Sequence, residues 1–286
     1  MISVFSMQEP SIDEKFRALM EKIAEKGKIL IAFSGGVDSV VLAHLSKPVR
    51  PLCVFVQDET VSKDEMEYAK TTAEKLGVEL KVIEHSTLDE EFCKNTIQRC
   101  YHCKKSMIKV LKEFAEKNGI DCIAMGVTTS DFKEYRPGIK AGYEEGIWYP
   151  FVEFQISKED VREYARMHEL EVAEKPANAC LASRIAYNQK ITRELLEKVA
   201  AAEKFLHQLG FEIVRVRVHG NDARIELGSK EIEKALNKEC FEKISKKLHE
   251  LGFVHVSIDL DGYRAGSMNE GITQPPLRQS EDEKRV

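Results

Sequence analysis

Residues 28–42 read KILIAFSGGVDSVVL. The apolar residues Ile29, Leu30, Ile31, Ala32 and Phe33 predict a buried strand. It runs straight into Ser34, Gly35, Gly36, Val37, Asp38 and Ser39, and a second apolar run at helical spacing follows. A strand that stops in a glycine turn and opens into a helix aims backbone N–H groups and the positive end of the helix dipole at one point. That point suits a phosphate. Gly35 and Gly36 let the backbone approach without a Cβ, Ser34 and Ser39 offer hydroxyls, and Asp38 can hold a divalent cation or order the loop. The Walker lysine and the third glycine of the dinucleotide loop are both missing, so neither of those sites is meant.

Outward from this turn, strands alternate with helices. Ser11 and Glu14 form a capping box for a helix whose apolar face is Phe16, Leu19, Met20 and Ile23, ending at Gly27. Strands are predicted over 51–57, 78–84 and 120–125, and helices over 62–76, 104–118 and 157–169. This order argues an α/β fold with a doubly wound parallel sheet, whose ligands sit at the carboxyl ends of the strands. The SGGVDS turn, Asp58 and the turn Gly126-Val127-Thr128 all fall at such ends. Residues 126–156 read as a loop-rich rim that carries Arg136. Past about residue 190 the pattern becomes helix, strand, strand, helix, strand, a separate small α+β unit. The expected domains are 1–188 and 189–265, with a polar disordered tail over 266–286.

The chain has 286 residues, 43% hydrophobic and 32% charged, with net charge −5. Its apolar runs are too short for a bilayer, and MISVFSMQEP lacks the flank and length of a signal peptide. No membrane partner and a cytoplasmic location are therefore expected. The negative charge argues against a broad nucleic-acid surface.

Seven cysteines are too sparse for a disulfide framework and point to metal or catalytic work. Cys100 and Cys103 form a CxxC just before a predicted helix, which leaves half a zinc site, a redox dithiol and iron–sulfur ligands all open. A third cysteine, Cys180, lies in KPANACLASR, where Pro176 and Asn178 disfavour regular helix. Lys175 and Arg184 lie near it in sequence and would favour its thiolate. The bland alternative is a small buried hydrophobe. Cys53, Cys93, Cys122 and Cys240 read as structural. In 213–228, Arg215, Arg217 and His219 alternate with Val214, Val216 and Val218. A hairpin turning at Gly220-Asn221 would set Arg217 opposite Arg224 and Arg215 opposite Glu226. Opposed arginines repel unless an anion lies between them, and a phosphate would fit. The ordinary alternative is a solvated, partly paired sheet face.

The SGGVDS turn resembles the pyrophosphate-gripping loop of the PP-loop ATP pyrophosphatases. Together with RCYHCK, GVTTSDFKEYRPG, KPANACLASR, ITRELLEKVAAAEKFLHQLGF and RVRVHGNDARIE, it resembles the LarE family of ATP-dependent sulfur transferases. The resemblance covers nearly the whole chain apart from its two ends. GIWYPF and RIAYNQ depart from that family's more usual segments. The resemblance implies that ATP and Mg2+ activate a carboxylate of pyridinium-3,5-biscarboxylic acid mononucleotide as an acyl-adenylate. Sulfur then displaces AMP to give a thiocarboxylate, in biosynthesis of the nickel-pincer nucleotide of lactate racemase. ATP would meet Ser34, Gly35, Gly36, Val37, Asp38, Ser39, Asp58, Gly126, Thr128 and Arg136. The nucleotide substrate would meet Arg184, Glu203, Arg215, Arg217, Arg224 and Glu226. In one type of member the cysteine matching Cys180 gives up its own sulfur. In the other, three cysteines hold a [4Fe-4S] cluster, and Cys100, Cys103 and Cys180 match that pattern. A homo-oligomer is expected. A tRNA thiolase, a zinc-stabilised nucleotide-binding regulator and an amide-forming synthetase are the alternatives.

Overall fold

A computed structural model of the chain describes residues 11–133, 136–176, 179–264 and 266–269. In chain order its elements are α1 Ile12–Lys26, β1 Ile29–Ala32, α2 Val37–Leu45, β2 Leu52–Gln57, α3 Lys63–Leu76, β3 Glu79–Glu84 and α4 Glu90–Cys93. There follow α5 Arg99–Lys117, β4 Cys122–Ala124, α6 Pro137–Glu144, α7 Pro150–Glu153, α8 Lys158–Met167 and α9 Arg193–Gln208. The last are β5 Val214–His219, β6 Asp222–Leu227, α10 Ile232–Ala235, α11 Lys238–Glu250 and β7 His255–Ile258. Among the described residues no helix is long and apolar enough to cross a membrane.

Two compact units emerge, and they interleave along the chain. The first takes residues up to Asp58, then 63–85 and 100–178; the second takes 59–62, 86–99 and the residues from Ala179 onward. A single cut at 188/189 was expected. The difference has a local cause: Asn95, fully buried, donates from Nδ2 to the carbonyls of Ala186 at 2.8 Å and Gln189 at 3.0 Å. Its own carbonyl accepts from Asn188 N at 2.9 Å. Those contacts fold 86–99 and 179–191 together.

The first unit is a parallel sheet in the order β3-β2-β1-β4. Side chains alternate across it. Leu30, Val54 and Ile123 pack against Ile108, Leu111 and Ala115 of α5, while Ile29, Ile31, Cys53 and Phe55 are buried from the other side. The edge strand β3 carries Glu79, Lys81 and Glu84, charges that discourage further pairing. Growth from β1 to β2 to β3 runs one way, and β4 then joins β1 on its other side. The switch in direction therefore lies between the carboxyl ends of β1 and β4. α1 has the reciprocal Ser11–Glu14 cap and buries Phe16, Leu19 and Ile23. Met20, expected on that stripe, is 41% exposed.

Two sequence expectations shift here. Residues 126–156 are not simply loop, because Pro137 and Pro150 open α6 and α7; proline suits the first helical turn, where its missing N–H is not needed. The CxxC also lies inside the first turn of α5, since nothing in RCYHCKK interrupts a helix.

In the second unit β5 pairs antiparallel with β6, and β6 parallel with β7. α9 turns Leu196, Val199, Ala202 and Leu206 inward. Gly220 has φ +61°, and the hairpin register sets Arg217 opposite Arg224 and Arg215 opposite Glu226, as the turn position implies. Of the tail expected from 266, residues 267–269 form a short 3-10 turn, and the residues after 269 lie outside the described ones.

Candidate active site

The loop after β1 is held by its own side chains. Ser39 Oγ accepts from Ser34 N at 3.2 Å and donates to Gly36 O at 3.0 Å, while Ser34 Oγ accepts from Gly36 N at 3.3 Å. Gly35 has φ +70°, and a Cβ there would meet Ala69 Cα at 3.0 Å, so glycine lets the loop lie directly on α3. Gly36 is the N-cap of α2. The first-turn N–H groups of that helix have no acceptor within it and face the switch point.

Asp38 sits in this first turn. Its Oδ2 accepts from Lys158 Nζ at 2.5 Å, whereas Oδ1 is buried without a partner. Burial pushes its pKa up and outweighs the opposing pull of Lys158. A buried carboxylate oxygen left unpaired beside a phosphate-type loop fits Mg2+, which takes one or two carboxylates and completes its shell with phosphates and water. Asp38 would hold the ion, and the ion would supply charge neutralisation for the polyphosphate.

Gly126 comes from the end of β4 and touches Asp38 directly. A Cβ at Gly126 would lie 2.9 Å from both C and Cβ of Asp38. Gly126→Ala should therefore displace the loop, destabilise the fold by about 1–3 kcal/mol and weaken ATP binding. A denaturant midpoint and an ATP titration check this, and unchanged values for both would refute it. Thr128 is fully buried and gives N–H and Oγ1 to Asp131 Oδ2, both at 2.8 Å. Asp131 Oδ1 in turn holds Arg136 at 2.6 Å. Thr128 and Arg136 thus brace the rim through Asp131, and Asp58 follows the carboxyl end of β2.

Lys158, Asp131 and Lys175 were not singled out for this site from the sequence. Lys158 had a signal: it opens α8 directly after its Ser157 cap, where a cation opposes the helix dipole and needs another reason to be there. Lys175 Nζ lies 3.2 Å from the centre of the Tyr68 ring and 3.4 Å from Gly35 O.

In the second unit, Cys180 is half-buried in extended backbone and caps the 3-10 turn Leu181–Arg184. Its carbonyl accepts from Ser183 Oγ at 2.7 Å and Arg184 Nη1 at 3.0 Å. Arg184 is only 1% exposed and makes a two-pronged pair with Glu203, Nε to Oε1 at 2.9 Å and Nη2 to Oε2 at 3.2 Å. Arg184 is thus engaged with Glu203 and with the carbonyl of Cys180, while Glu203 Oε1 also accepts from Val216 N at 3.0 Å.

The arginine hairpin also differs from expectation. The anion between Arg217 and Arg224 is Glu226, fully buried, with Arg217 Nη2 at 2.8 Å and Arg224 Nη2 at 3.2 Å. Ser267 Oγ accepts from Arg217 at 3.2 Å and donates to Glu226 at 3.0 Å. A diagonal carboxylate within the sheet thus fills the place considered for a phosphate. Arg215 stacks over Tyr263 at 5.1 Å, and burial followed by the nearby Arg184 charge lowers its pKa.

Cys100 is exposed and Cys103 half-buried, one turn apart on α5 in the first unit; Cys180 belongs to the second. Among the described residues no three His, Cys, Asp or Glu side chains are gathered to hold a metal ion.

Residues 8–136 match the family model of a PP-loop domain. Fold and loop together define an ATP-using enzyme of the PP-loop class. The chain is 33% identical over 267 residues to an uncharacterized protein of Synechocystis sp., covering 92% of this chain and all of that one. An uncharacterized protein of Methanocaldococcus jannaschii is 36% identical over 86% of this chain and 94% of its own. The pyridinium-3,5-bisthiocarboxylic acid mononucleotide synthase of Lactiplantibacillus plantarum is 32% identical over 92% of this chain and 96% of its own. The chain belongs to the LarE family.

Proposed function

We propose that this protein inserts sulfur into pyridinium-3,5-biscarboxylic acid mononucleotide at the expense of ATP, toward the bisthiocarboxylic acid mononucleotide for which its Lactiplantibacillus plantarum relative is named. A substrate carboxylate oxygen attacks the α-phosphorus, and pyrophosphate leaves into the α2 N-terminus. A carboxylate is a poor electrophile until its oxygen becomes part of a good leaving group, and adenylation provides that. The Cys180 thiolate then attacks the acyl carbon and the C–O bond to AMP breaks, giving a thioester. Loss of the Cys180 α-proton with cleavage of its Cβ–S bond releases the thiocarboxylate and leaves dehydroalanine. Sulfide carried on a cluster would instead attack the acyl carbon and release the thiocarboxylate directly. Mg2+ bound at Asp38 offsets the polyphosphate charge when present. The observation that carries this reading is the setting of Cys180: a half-buried thiol on a short turn, its carbonyl held by a buried Arg184–Glu203 pair, in a chain that also carries an ATP loop.

Cys180→Ala tests it. The variant should still release pyrophosphate when substrate is present and accumulate the acyl-adenylate, while thiocarboxylate falls below detection. Normal thiolation would refute the role of Cys180. Mass spectrometry of wild-type protein after turnover identifies the sulfur source. Loss of the elements of hydrogen sulfide at Cys180 marks sacrifice of its own sulfur, a change that oxidation cannot mimic because oxidation adds oxygen. An intact Cys180, repeated turnover with sulfide and a brown chromophore would put the sulfur on a cluster of Cys100, Cys103 and Cys180.

A further inference from the structure

Among the described residues of the ATP-loop unit, two cations beside the loop and its rim already face carboxylates: Lys158 faces Asp38, and Arg136 faces Asp131. Each of those pairs is neutral. Magnesium offsets only part of a triphosphate's charge, and a helix N-terminus supplies about half an elementary charge more. One further cation is needed for balance. Lys175 is placed to be that cation. Its ammonium lies on the Tyr68 face and against the Gly35 carbonyl, and Gly35 rests on the same helix that carries Tyr68. Glu65 of α3 attracts it from a distance, and Arg162 of α8 donates to its backbone carbonyl at 3.0 Å.

We propose that Lys175 moves from the Tyr68 ring to the β- and γ-phosphates of ATP and there stabilises the departing pyrophosphate. A π face holds a cation less firmly than a desolvated phosphate does. Burial already draws the Lys175 pKa down to about 8, against the opposing pull of Glu65. Phosphate contact favours the ammonium and raises that value, so binding takes up a proton. The sign follows: affinity for ATP is full below about pH 8 and falls as pH rises between the free and the bound pKa. The role depends on ATP binding and not on the sulfur chemistry.

The test is calorimetric titration of the full chain with Mg2+ and α,β-methylene-ATP, and separately with AMP, from pH 7 to 9.5. Lys175→Met should bind the triphosphate roughly ten- to a hundred-fold more weakly at pH 7, the range for losing one hydrogen bond to a charged group. It should bind AMP within about two-fold of wild type, the value for a contact confined to the outer phosphates. Wild-type affinity should drop with rising pH, while Lys175→Arg, charged throughout, should stay flat. Equal triphosphate binding by Lys175→Met and wild type, or identical pH profiles for wild type and Lys175→Arg, would overturn the role. The second comparison holds even if the methionine variant fails to fold. Absence of any triphosphate binding by wild type would overturn the loop assignment as a whole.

Discussion

Asp38→Asn should cut pyrophosphate release by at least about a hundred- to a thousand-fold, the usual effect of deleting one preorganised electrostatic contact at a reacting centre. The shape of the side chain survives, and the remaining oxygen can still accept from Lys158. What disappears is the charge on an oxygen that is buried and otherwise unpaired. Stability should change far less. The folded pKa of Asp38 is raised by burial, so its ionised form is disfavoured in the fold and neutralisation relieves that cost. The Lys158–Asp38 pair is also partly exposed, which limits what it adds to stability. Because Mg2+ needs the carboxylate ionised, wild-type activity should begin to fall with decreasing pH above the usual aspartate range. A pyrophosphate-release assay beside a thermal melt checks both halves. Unchanged release would remove Asp38 from the ATP site.

Glu226→Ala should be the most damaging single change to stability, costing about 3–5 kcal/mol, the typical penalty for stranding a buried charge. One carboxylate accepts from Arg217 Nε at 3.0 Å and Nη2 at 2.8 Å, from Arg224 at 3.2 Å and from Ser267 at 3.0 Å. Without it, two arginines face each other across the hairpin, one of them 5% exposed. Replacing Arg217 and Glu226 together with methionines should cost much less, because well-packed apolar groups can substitute for a buried pair. Burial raises the Glu226 pKa, but bonding to Arg217, Ser267 and Arg224 outweighs it and holds the carboxyl below its ordinary value. Its contribution is therefore full at neutral pH and lost as pH falls through the carboxylate range. Urea midpoints of the single and double variants at pH 7 and pH 4 decide the matter. A penalty under about 1 kcal/mol for Glu226→Ala would place it among ordinary surface pairs.

The features legible in the sequence are those made by neighbours in the chain. Strand, glycines and helix of the ATP loop lie within fifteen residues, and the Gly220-Asn221 turn fixes the register of Arg217 and Arg224 because pairing counts outward from the turn. The illegible features join distant segments. Nothing around position 158 names Asp38 as its partner, and nothing around 175 points to Tyr68. The Arg215–Arg217–Arg224 pattern was legible, but Glu226 as the partner of both Arg217 and Arg224 was not, since a carboxylate two residues along the same strand reaches diagonally across the ladder. Prolines 137 and 150 read as loop markers because proline marks both a turn and a helix start, and only packing decides between them.

Asn95 has a consequence for the order in which the protein can be made. Its segment leaves the ribosome some ninety residues before the carbonyls of Ala186 and Gln189 that it grips, several seconds at ordinary synthesis rates of about 5–20 residues per second. During that interval residues 86–99 hang from a nascent sheet with a buried-type asparagine and Arg99 exposed to solvent. Fragments that stop near residue 178 would freeze the chain in this state. Such fragments should be better chaperone substrates than the finished protein, although they contain every strand of the larger sheet.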